Sequence, residues 1–67
     1  MVGEGVTRRQ KEVFQLIADG RHPKQVAVDL AITRTTVDQH IRNGKKNLHA
    51  QSTPAAVAQL MRKGEIR

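Results

Sequence analysis

Cysteine, tryptophan and tyrosine are missing from this chain altogether, and phenylalanine occurs once. Without cysteine there is no disulfide, which fits a reducing, cytoplasmic compartment. The shortage of aromatics leaves few large side chains for a core and almost none to stack on unpaired bases, so RNA or single-strand recognition is disfavoured. Long apolar runs are missing too: Val26 to Ile32 is interrupted by Asp29 and falls far short of the ~20 residues of a transmembrane helix. The opening Met-Val-Gly-Glu-Gly has neither the charged nor the apolar region of a secretory signal. Neither membrane insertion nor secretion is expected. Acidic residues are scarce, 6 against 12 Lys plus Arg, for a net charge of +6 in 67 residues. One domain of that size buries only ~60% of its unfolded surface, so its natural reserve of stability is a partner, a second copy or nucleic acid. Shaping a substrate cleft from so short a chain is difficult. With no set of nucleophile, base and orienter in view, neither an enzyme nor a cofactor is expected.

Cap signals divide what is present into four helices. Thr7-Arg-Arg-Gln10 has the capping-box pattern, and Val13, Leu16 and Ile17 recur on one face with Phe14 on its shoulder. The first helix should cover about 8 to 19 and end at Gly20. His22 before Pro23 opens a second helix over about 23 to 30, with Val26, Ala27 and Leu30 inward. Thr33 caps a third, over about 34 to 47, whose inward stripe is Val37, His40 or Ile41, Gly44 and Leu48. Gly44 either permits close packing or begins a frayed end. Ser52-Thr-Pro-Ala55 starts a fourth helix, over about 54 to 63, with Val57, Leu60 and Met61 as its apolar stripe. No strand-period alternation occurs. The expected fold is all-α: residues 1–5 a flexible N-terminus, and 6–67 a domain of four short helices with a central helix-turn-helix.

The turn Ala31-Ile32-Thr33 is too short for an antiparallel pair, so helices two and three must cross steeply as a helix-turn-helix. Arg34, Thr35, Asp38, Gln39, Arg42, Lys45 and Lys46 fall on the outward side of the third helix. A cationic helix on such a unit suits the major groove, whose phosphate rims need neutralising. Arg8, Arg9, Lys11, Arg21 and Lys24 are placed to flank it. The alternative reading is a helical hairpin with a solvated face.

These residues also carry a resemblance. Val6 to Gly20, then Lys24-Gln-Val-Ala27, Leu30, Ile32-Thr33, Thr36-Val37, His40, Asn43 and Leu48, resemble the DNA-binding domain of LuxR/GerE-type transcription regulators over residues 6 to about 61. The resemblance implies a third helix in the major groove and a fourth that mediates dimerisation. It is imperfect: the family's usual opening Glu is Gln10, its Ser-Asn before helix two is His22-Pro23, and its later Lys-Leu and Arg are Asn47-Leu48 and Thr53. Most consequentially, its Lys after Thr-Val is Asp38. A carboxylate there can accept from a cytosine amino group or pair with Arg42 and aim it; equally, it can be a solvated charge that repels phosphate.

The expected function is sequence-specific binding of double-stranded DNA by a small regulator acting as a homodimer. Thr35, Asp38, Gln39 and Arg42 are the expected base contacts; Lys24, Thr33, Arg34, Thr36, Lys45 and Lys46 the backbone contacts. Val57, Leu60 and Met61 are the expected dimer interface. His22, His40 and His49 have no cysteine partners and no i, i+4 pairing, so no metal site is expected. The competing class is a protein-interaction module that docks on RNA polymerase or another regulator.

Overall fold

The computed structural model describes residues 6–67; the expected flexible stretch 1–5 lies outside the described residues. Four helices follow one another: α1 Arg8–Ala18, α2 Pro23–Leu30, α3 Arg34–Leu48 and α4 Thr53–Arg62. Each starts where a side chain satisfies a free backbone N–H. Thr7 accepts from Gln10 N at 3.1 Å while Gln10 Oε1 accepts from Thr7 N at 3.0 Å, closing the capping box. His22 caps α2 through Nδ1, Thr33 caps α3, and Ser52 caps α4. Ser52 moves the start of α4 one residue ahead of the expected position, to Thr53, and its last helical residue is Arg62.

The turn between α2 and α3 needs a left-handed residue, and Ala31 supplies it at φ 58°. There Ile32 N donates to Ala27 O at 3.0 Å, so the carbonyls that end α2 are used and the chain turns sharply. Helix α3 then packs against all three other helices. Its inward residues Val37, Gly44 and Leu48 are buried, and Ile41 joins both halves of the core.

One half gathers Val13, Val26, Ala27 and Val37 beneath the helix-turn-helix. The other gathers Phe14, Leu48, Ala56, Leu60 and Ile66. Phe14 is therefore central rather than on a shoulder: it is wholly buried, while Leu16 and Ile17 stay half-buried. The reason is Gly44, whose missing side chain makes room for the ring against α3. Close packing, not fraying, is the role of that glycine. Leu60 corrects the expected interface. It is wholly buried inside the monomer, because a core with one aromatic ring needs every large aliphatic residue on its inner side.

The segment after Gly64 returns to α1, which the cap reading did not anticipate. Ile66 is buried, Gln15 exchanges two 2.8 Å hydrogen bonds with the backbone of Arg67, and Lys11 pairs with Glu65 at 3.6 Å.

Candidate nucleic-acid interface

A helix turns 100° per residue, so α3 can be divided into rows. Its inward row is in the core. Opposite it run Thr35, Gln39, Arg42 and Lys46, all exposed, with exposed Asn43 beside them. Arg34, Asp38 and Lys45 lie on one flank, the latter two half-buried. Three of the four expected base contacts thus share the outermost row, and Asp38 is off it. Asn43 was absent from the expected set, although its i+4 spacing from Gln39 was a usable signal.

The charge on this surface is not evenly available. Arg9 pairs with Glu12 at 2.9 Å, Arg21 with Asp29 at 2.9 Å and Arg34 with Asp38 at 3.1 Å. Among the described residues, Lys24, Arg42, Lys45 and Lys46 make no ion pair, so their charge is free for a ligand. Arg21 leaves the flanking group. Its guanidinium donates from Nε and Nη2 to the two oxygens of Asp29 and from Nη2 to Gln25. That fork holds the Asp29 carboxyl below its ordinary pKa, through the hydrogen bonds first; burial opposes the shift and the opposite charge adds to it.

The expected partner of Asp38 is likewise corrected. Arg34, one turn before it, donates from Nε to Asp38 Oδ1, while Arg42 makes no ion pair with it.

Thr33 and Thr36 are partly committed. Thr33 Oγ1 accepts from Thr36 N, and the two hydroxyls lie 2.9 Å apart, which uses one hydroxyl hydrogen and leaves the other for an outside acceptor. Two of the three histidines have local roles: His22 accepts at Nδ1 from Lys24 N, and His49 ends α3 at φ 54°. No group of three His, Cys, Asp or Glu side chains able to hold a metal occurs among the described residues. None of the described helices is long and apolar enough to cross a membrane.

On α4 the side away from the core carries exposed Pro54, Ala58 and Met61, with Val57 half-buried at its edge. Met61 is 44% exposed, one of the two exposed large apolar side chains among the described residues; the other is Val28 on α2. Of the three expected interface residues, Met61 and the edge of Val57 are open to a partner.

Comparison with known proteins gives one answer. The profile of bacterial regulatory proteins of the luxR family matches residues 4–60. The spore germination protein GerE of Bacillus subtilis is 36% identical over 61 residues, spanning 91% of this chain and 82% of that protein. Two longer proteins match through only part of their length. An uncharacterised response regulatory protein of Escherichia coli, YgeK, is 37% identical, and this chain spans 40% of it. The transcriptional regulatory protein DesR of B. subtilis is 34% identical, and this chain spans 30% of it. The solved structure of the transcription factor GerE superposes with a TM-score of 0.89 at 32% identity, covering 92% of each chain. The protein belongs to the luxR family of bacterial regulatory proteins, as a helix-turn-helix domain of DNA-binding regulators and not an enzyme.

Proposed function

We propose that the chain binds double-stranded DNA sequence-specifically, with α3 in the major groove, and acts as a symmetric dimer in the regulation of transcription. The observation that carries this reading is a cluster of available charge. On and beside α3, Lys24, Arg42, Lys45 and Lys46 make no ion pair among the described residues, and of the cations on α3 Arg34 alone is tied to a carboxylate. Unpaired cations on an exposed helix displace counterions from phosphate, which is the main source of duplex affinity.

On this reading the outermost row of Thr35, Gln39 and Arg42 meets base edges. Lys24, Lys45 and Lys46 neutralise phosphates, and the remaining hydroxyl hydrogen of Thr33 or Thr36 donates to another. The dimer forms through the outer side of α4, by Val57 and Met61 together with Ala58, and sets the spacing of two half-sites. A cytoplasmic setting fits these parts.

Selection of duplexes from a random pool tests the proposal. A palindrome is the expected outcome, since a two-fold symmetric dimer reads two inverted half-sites; a direct repeat would overturn the symmetric arrangement. A pool that stays random would sink the reading and favour docking on another protein.

A further inference from the structure

Its pairing with Asp38 sets Arg34 apart from the other outward cations of α3. Arg34 is the first residue of α3, and its Nε donates to Asp38 Oδ1 at 3.1 Å. Both side chains are about half exposed, 50% and 46%. An ion pair that open adds little to stability. It does engage the guanidinium at one edge. Nε is held by Asp38 Oδ1, and neither terminal nitrogen has a partner among the described residues.

We propose that Arg34 is a guanine-reading residue and that Asp38 is its positioning residue; the assignment rests on the duplex-binding reading above. Three properties support it. A guanidinium donates two parallel hydrogen bonds to O6 and N7 of guanine, and the end left free by Asp38 has the required two donors. The N-terminal residues of a recognition helix are those that meet base edges, and Arg34 stands at that end. The third property is charge. A phosphate clamp needs its full cationic charge, which a carboxylate at 3.1 Å cancels in part, whereas base reading needs donors in fixed directions. Asp38 thereby lowers non-specific attraction and, by holding the fork in place, reduces the ordering cost of reading a base. The expected backbone role of Arg34 gives way to a specific one, and the carboxylate at position 38, one turn after the arginine, acquires a use that a lysine there would not have.

Duplex selection should be run on the intact chain and on Arg34→Lys, Arg34→Ala and Asp38→Ala. Dissociation constants then follow at one salt concentration on the selected duplex, on the same duplex with the guanine replaced, and on random sequence. Circular dichroism should show all three variants as helical as the parent. The parent should select one guanine per half-site that both Arg34 variants no longer select. Discrimination at that position should fall about 5- to 150-fold, the range of a bidentate base contact. Arg34→Lys is the sharper variant, because it keeps the charge and loses the fork. Asp38→Ala should relax the same position while tightening random-sequence binding, since it releases a cation. An Arg34→Lys chain that selects the parent's sequence overturns the assignment and leaves duplex binding intact. So does an Asp38→Ala chain that changes preference at a cytosine elsewhere, which would make the carboxylate itself the reader. A parent that binds no duplex overturns the duplex-binding reading and this assignment together.

Discussion

Phe14 occupies the space that a side chain at position 44 would need. A Cβ built on Gly44 would lie 2.9 Å from Phe14 Cζ and closer still to Cε2. The ring is wholly buried, so it has nowhere to move. This contact sets how closely α3 approaches α1, and it makes the position intolerant in the sense opposite to helix propensity. Alanine gains up to ~1 kcal/mol in a helix interior. Overpacking costs about 1–3 kcal/mol, and here it should win. Gly44→Ala is expected to lower the urea midpoint, with a fall of ~4–8 °C in Tm per kcal/mol lost. A variant more stable than the parent would mean that the ring yields.

Gln10 acts through one oxygen. Its Oε1 accepts from Thr7 N at 3.0 Å and from Asn47 Nδ2 at 3.3 Å, tying the start of α1 to the last turn of α3. A carboxylate keeps both bonds and places negative charge in the first turn, which offsets the cost of burying it. Gln10→Glu should therefore stay within about 1 kcal/mol of the parent. Gln10→Leu leaves the Thr7 N–H unpartnered and should cost ~1–3 kcal/mol. Equal losses for both in urea unfolding would show that shape, not the acceptor, matters there.

The Arg21–Asp29 fork has a definite pH signature. The folded carboxyl lies below its ordinary value, so the fork's contribution is complete above the unfolded carboxylate pKa of ~3.9. It is lost as the pH falls through the folded value. Asp29→Asn should be less stable than the parent at pH 6, and the gap should close on acidification. Two unfolding curves that stay parallel from neutral to acid pH would contradict this.

Leu60 and Met61 are neighbours with opposite fates. Leu60 is wholly buried and Met61 is 44% exposed. Leu60→Ala should cost about 2–5 kcal/mol and says nothing about association. Met61→Glu should fold normally, sediment as a monomer and bind its duplex weakly; Ala58→Glu should do the same. A parent chain that sediments as a monomer both free and on DNA would remove the dimer from the proposal.

Salt separates the roles of the outward cations. A dimer that neutralises roughly 6–10 phosphates should lose ~10³–10⁵ in affinity between 50 and 200 mM salt. Lys46→Ala should weaken all duplexes alike and flatten that slope. Arg42→Ala should cost ~1–3 kcal/mol on the selected site and relax one position per half-site. Identical losses on selected and random DNA would place Arg42 on phosphate.

What the chain encodes locally was legible without coordinates. The starts of all four helices are written within three residues of each cap: Thr7 with Gln10, His22 with Lys24, Thr33 with Thr36, Ser52 with Ala55. These bonds join residues two or three apart, so their partners are visible in the local sequence, and the outward row of α3 follows from its periodicity once its start is known. Tertiary structure decided everything for which the sequence offered equivalent options. Phe14 competed with Leu16 and Ile17 for the centre of the core, and the hole at Gly44 chose it. Leu60 and Met61 are adjacent and both apolar, and only the direction from which α3 and the C-terminal segment approach sends one inward. Asp38 had an arginine one turn away on either side, and spacing ranks them equally. Gln15 and Arg67 are 52 residues apart, a pairing no local pattern announces, because it exists only after the chain has closed on itself.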